Sequence, residues 1–188
     1  MLAFSASAQD RDGSIVSASV IDFPEVEGWE KGDIFMFPEP ELGYSVSYES
    51  LEGGRVTVYV YNGGVQKIAD GHKSDEVRDQ LKKAREEIDK VVELGYYDKV
   101  ETVKRDVVVI GGKLKARREV VELTIRGKKV TSEIYLFGHK NQFIKFRATR
   151  APEVDGAIRP SVRNLFEAIA KALAEGRVRE TAGATEGD

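Results

Sequence analysis

The chain contains no cysteine. That absence excludes disulfides, thiolate nucleophiles, cysteine-held iron–sulfur clusters and cysteine-based zinc sites. Histidine is almost as scarce. There are two, His72 and His139, and neither stands in a His-x-x-His or Glu-x-x-His spacing, so the sequence offers no metal site. An excess of one charge is lacking too. The 29 basic and 32 acidic residues leave a net charge of −3, which gives no global argument for nucleic acid or an anionic membrane as a partner. No apolar run approaches the roughly 18 residues that a membrane-spanning helix requires. Gly-x-Ser-x-Gly, Walker and dinucleotide-binding patterns are absent. The paired glycines Gly53-Gly54, Gly63-Gly64 and Gly111-Gly112 lie between strand-like runs, not at a helix start, so they read as turns instead of phosphate loops. No cofactor is expected.

What is present is a globular composition. Hydrophobic residues make up 41% and charged residues 32% of 188. A single domain of this size buries roughly 70% of the surface its unfolded chain exposes, and needs no metal or disulfide to support a core. The segment from Met1 to Asp10 reads as the last part of a secretory signal, with Ala6-Ser7-Ala8 as a small-x-small cleavage pattern and Gln9 as the first mature residue. Export to the periplasm or medium follows from that reading. A cytoplasmic protein follows if the segment is an ordinary Ala/Ser-rich terminus.

Most of the chain carries a period of two. From Leu114 to Thr149 three runs alternate, separated by Gly127-Lys128 and by Gly138-His139-Lys140-Asn141. Connections this short favour an antiparallel meander, because parallel strands need longer crossovers. Gly43 to Ser50 sets Tyr44, Val46 and Tyr48 against Ser45, Ser47 and Glu49. Arg55 to Tyr61 sets Val56, Val58 and Val60 against Thr57, Tyr59 and Tyr61, with Glu52-Gly53-Gly54 as the turn between them. Val107 to Ile110 is apolar on both faces, which predicts an inner strand. Pro38 and Pro40 confine the apolar run Asp33–Phe37 to an edge or a loop.

Two helices interrupt this pattern. Ser74 is a good N-cap, and Asp75 and Glu76 complement the helix dipole. Val77, Leu81, Ala84, Ile88, Val91 and Val92 then recur at helical spacing until Gly95. Pro160 marks the start of the second helix, whose stripe is Val162, Leu165, Phe166, Ile169 and Leu173. The predicted fold is α+β, with one antiparallel sheet of about six or seven strands and two helices packed on it. Residues 1–14 are expected to be a disordered N-terminus, 15–176 a single domain and 177–188 a disordered tail.

The order is hairpin, helix, four strands, helix. With the Tyr44–Tyr61 hairpin, the middle helix and the ending Phe143-Ile144-Lys145-Phe146-Arg147-Ala148-Thr149 before a terminal helix, it resembles the Mog1/PsbP-like family over about Gly43 to Leu173. That resemblance implies an α+β sandwich used for protein binding rather than catalysis. It carries over no site residue.

Candidate functional residues come from faces rather than motifs. Tyr44, Tyr48, Tyr59 and Tyr61 cluster on one hairpin. Exposed together, with Trp29 as a neighbour, they would form an amphipathic recognition surface; against a helix they would be core. Lys145 and Arg147 share a face of the last strand. With Lys115 and Arg117 they would make a basic stripe, unless Glu119 and Glu133 pair with them in a salt-bridge ladder. His72, oriented by Asp70, could be a base or a ligand, although no nucleophile lies nearby. His139 sits in a turn. The leading expectation is a non-catalytic exported binding or structural module whose sheet surface meets another protein or an envelope component. The alternatives are a small hydrolase-type enzyme using His72 and Asp70, or a lipid or small-ligand carrier with a cavity between sheet and helices.

Overall fold

The computed structural model describes residues 19–50, 53–150 and 155–180, with the side chains of the last helix described from residue 162 onward. The signal-like segment and residues 181–188 lie outside the described residues. The elements run β1 (Ser19–Ile21), β2 (Trp29–Lys31), β3 (Phe35–Met36), a 3-10 turn at Pro40–Leu42, β4 (Tyr44–Ser50), β5 (Gly54–Tyr61), α1 (Asp75–Glu93), β6 (Lys99–Ile110), β7 (Leu114–Ile125), β8 (Lys128–His139), β9 (Gln142–Arg150), α2 (Asp155–Glu175) and β10 (Val178–Glu180).

Eight strands form one antiparallel sheet in the order β2-β4-β5-β9-β8-β7-β6, with β3 also pairing with β4. The fold is α+β, and the sheet is slightly larger than expected. The excess comes from β2 and β3, which pair with opposite ends of β4. Runs of two or three residues are too short to show a period, so they read as loop. The β6–β9 meander turns back until β9 pairs with β5 along its full length. Two-residue turns set its register. Arg126 and Gly127 join β7 to β8, and Lys140 and Asn141 join β8 to β9, all four at positive φ as tight hairpins demand.

The pleat sorts side chains onto two apolar faces, and each face takes one helix. Val46, Val56, Val58, Val60, Phe137, Ile144 and Phe146 pack against Leu165, Phe166, Ile169 and Leu173 of α2. Tyr61, Ile134, Leu136, Phe143, Val121 and Leu123 pack against Val77, Leu81, Ala84 and Ile88 of α1. The α1 cap is as predicted, with Ser74 Oγ accepting from the Val77 N–H at 3.3 Å.

Three local expectations change. β6 is the edge strand, not an inner one, and leaves Val107 46% and Val109 58% exposed. Its partner is a single hairpin arm, so doubled apolarity there marks an uncovered edge. The second helix begins at Asp155, ahead of Pro160. Of the tail predicted from residue 177, Val178–Glu180 instead forms β10, which pairs with β1 through backbone bonds while its side chains stay exposed.

Candidate functional site

Four of the seven candidate residues come together; three do not. Tyr44 and Tyr48 point to the α2 side, where both are buried. The Tyr44 hydroxyl accepts from the Ile21 N–H at 2.9 Å, and the Tyr48 hydroxyl donates to the Pro24 carbonyl at 2.9 Å. Burial pushes both phenols up. Trp29 is buried in the same cluster. These three side chains anchor the N-terminal segment on the sheet, so they belong to the core and not to a shared recognition surface. Alternation put tyrosines at even positions of β4 and odd positions of β5. Antiparallel pairing of Val46 with Val58 therefore sends the two sets to opposite faces.

Tyr59, Tyr61, Lys145 and Arg147 share the α1 side. The β5–β9 register sets Tyr59 opposite Lys145 and Thr57 opposite Arg147. The Lys145 ammonium lies 4.5 Å from the Tyr59 ring centroid and 5.3 Å from that of Tyr61, which is cation–π distance. No carboxylate lies within ion-pairing distance of Lys145 among the described residues. Burial holds its pKa below the usual lysine range, and the more distant Glu87 opposes that only in part. Arg147 reaches the Ser132 hydroxyl and the Tyr97 hydroxyl, both at a long 3.4 Å. The Tyr61 ring packs on Phe143, with centroids 5.5 Å apart, and its hydroxyl is buried without a hydrogen bond of normal geometry. Burial pushes that phenol up, and the neighbouring Gln80 side chain opposes the push.

These groups line a cleft of about 370 Å³ between α1 and the sheet, closed by Phe37, Leu42, Ala84, Ile88, Val91 and Ile134. Its rim depends on Gly43. A Cβ at that residue would meet the Val60 carbonyl oxygen at 2.0 Å, and its φ is +61°, so the 3-10 turn can lie against the end of β5 only with glycine there. The Glu41 backbone carbonyl then accepts the Gly63 N–H at 2.8 Å. Gln80 and Glu87 did not stand out in the sequence. The available signal was a polar pair at i and i+7 on the same helical face as Ala84, Ile88 and Val91.

The other charged candidates are spent on structure. Glu119, 2% exposed, takes Arg105 at 3.0 Å, Arg85 at 3.5 Å and the Thr102 hydroxyl at 3.0 Å. Glu133 lies on the opposite face with Arg150, at 2.8 Å, and Tyr135. The expected single ladder is thus two separate networks, and neither contains Lys145 or Arg147. Asp70 and His72 are not hydrogen-bonded to each other. Asp70 Oδ1 accepts the Lys140 N–H at 2.8 Å, while the His72 carbonyl accepts from Arg117 at 2.8 Å. Limited burial and the neighbouring Arg117, Lys115 and Lys73 lower the His72 pKa. Asn141, beside His139, bonds Ile68 and Gln66, so this turn holds the 65–73 connection in place. A second hollow, on the α2 side, is lined by Arg118, Glu133 and Tyr135. Its ionic groups are paired: Arg118 grips Asp106 at 2.9 and 2.7 Å. Among the described residues, no three His, Asp or Glu side chains gather as a metal site, and no helix is long and apolar enough to cross a membrane.

No protein-family model matches the chain, and no curated protein matches it in sequence. Among solved structures it is similar to the cyanobacterial PsbP (CyanoP) from Synechocystis sp. PCC 6803, with a TM-score of 0.52 over 88% of this chain and 96% of that one, at 12% identity. The fold is therefore PsbP-like. At that identity the likeness speaks for the architecture alone.

Proposed function

Starting from a PsbP-like sheet with one open, basic cleft, we propose that this protein is a non-catalytic, exported binding module. It recognises another protein or an envelope component through the α1 side of the sheet. One observation carries the proposal: Lys145 lies against two tyrosine rings in a solvent-open cleft with no carboxylate at ion-pairing distance among the described residues. Partial burial of an ammonium without a bonded carboxylate disfavours its charge, so its place is explained by what it meets there. Support also comes from the sheet beyond α1, where Ser45, Ser47, Thr57 and Thr149 continue the same face as a broad open trough. Catalysis finds little support, because the Asp70 carboxylate is taken up by the Lys140 N–H and does not orient the His72 ring. Export is supported by the Ala6-Ser7-Ala8 pattern.

The test is capture of partners from the native host's envelope fraction by the tagged protein, by Tyr59→Ser/Lys145→Ala, and by Val109→Ser on the remote β6 edge. Partner recovery should fall at least tenfold for the cleft variant and stay level for the edge variant. Unchanged recovery by a folded cleft variant overturns the proposed face. Retention of the full-length protein in the cytoplasm overturns export.

A further inference from the structure

We infer that the cleft between α1 and the sheet is a site for a small organic monocarboxylate with an apolar body; this rests on the reading of the α1 side as the binding face.

Size comes first. About 370 Å³ is at the small end of the range for small-molecule sites, which are mostly apolar with a few convergent polar groups. The walls fit that description. Phe37, Leu42, Ala84, Ile88, Val91 and Ile134 supply hydrocarbon from the 3-10 turn, α1 and β8, and Leu42 on the rim is 43% exposed.

Lys145 and Tyr61 both reach the cleft from its sheet side. Lys145 Nζ has no carboxylate within ion-pairing distance among the described residues, Glu87 of the same cleft lying farther off. Tyr61, 6% exposed, carries a buried hydroxyl with no hydrogen bond of normal geometry, Gln80 being the polar side chain beside it. Buried donors are nearly always satisfied. The buried Tyr61 hydroxyl and the half-buried Lys145 ammonium, lining one cavity, therefore describe the outline of a missing acceptor. A carboxylate oxygen can take both bonds, and charge-assisted bonds of this kind are the strong ones. The Tyr59 and Tyr61 rings flank the ammonium and fix its position before the ligand arrives, which reduces the ordering cost of binding.

Charge selects the valence. Lys145 and Arg147 against Glu87, all lining the cleft, leave one net positive charge. That balances a monoanion. A dianionic phosphate would exceed it and would be repelled by Glu87. A neutral head group would leave Lys145 uncompensated.

The test uses three eight-carbon probes that share a tail: octanoate, 1-octanol and octyl phosphate, titrated at pH 8 into isotopically labelled protein by NMR, with affinities from calorimetry. Octanoate should saturate, shifting the Gln80 side-chain amide together with Ala84, Ile88 and Lys145. Octanol and octyl phosphate should each bind at least tenfold more weakly. Lys145→Met should weaken octanoate at least tenfold and Tyr61→Phe about threefold or more, in variants that melt no lower than wild type. The inference is overturned if octanoate fails to bind, shifts residues elsewhere, binds Lys145→Met as tightly as wild type, or is matched by either other probe. Partner capture is measured separately. Octanoate failing while cleft variants still lose the partner removes only the carboxylate; octanoate binding while capture is unaffected removes only the macromolecular partner.

Discussion

Replacing Tyr61 with Phe should make the protein more stable, which is unusual for a substitution in a core. Tyr61 sits in the α1-side cluster, and its ring stacks obliquely on Phe143. The substitution keeps that ring and removes only the hydroxyl, which is buried with no bond of normal geometry. An unsatisfied buried hydroxyl costs about 1–3 kcal/mol. Gln80 nearby and the open mouth of the cleft place the gain at the low end, about 1 kcal/mol. For a chain of this size that corresponds to a rise of about 2–4 °C in Tm. The assay is paired thermal and urea melts of wild type, Tyr61→Phe and Tyr59→Phe, the last being a half-buried control expected within about 0.5 kcal/mol of wild type. A lower Tm for Tyr61→Phe would mean the hydroxyl already has a good partner within the protein. The case for a missing acceptor in the cleft would then fail.

Two further outcomes test the scaffold. Arg118 grips Asp106 with two bonds and, with Lys104, holds its carboxyl down from 3.8 to about 2. A folded pKa below the unfolded one gives stability that is complete above about pH 4 and is lost as pH falls through about 2. Allowing for solvent at this partly exposed pair, Asp106→Asn should cost about 1–2 kcal/mol at pH 7 in urea titrations, and a gap that persists at pH 2 refutes the assignment. At Gly138, an added Cβ would meet the Ala69 carbonyl oxygen at 2.0 Å, where Gly71 and Gly138 exchange two backbone bonds of 2.8 Å. Gly138→Ala should therefore cost about 2–3 kcal/mol by overpacking and lost bonds and should speed hydrogen exchange at Gly71, whereas unchanged exchange there would show that this contact does not hold the approach to α1.

Much of the architecture was legible because it is written in local periods. The meander from β7 to β9 follows from alternation and two tight turns, and α1 follows from its cap and stripe. The Trp29–Met36 region was not legible. β2 and β3 exist because β4 offers an edge, and their own two or three residues carry no period. Nor was β6 as an edge: Val107 to Ile110 look the same whether a second neighbour pairs with them or solvent does.

The candidate site divides along the same line. Alternation alone determined that Tyr59 and Tyr61 share one face of β5, and that Lys145 and Arg147 share one face of β9. Which helix each face would receive was decided only by tertiary structure, since both faces of this sheet are apolar enough to take one. The β5–β9 register brought Lys145 against the tyrosines, the pairing of β4 with β5 sent Tyr44 and Tyr48 to the opposite side, and α1 lying across β8, β7 and β6 made a cleft out of what would otherwise be flat sheet. A side chain's face is a matter of its immediate neighbours in sequence; its burial depends on what the chain lays over that face from dozens of residues away.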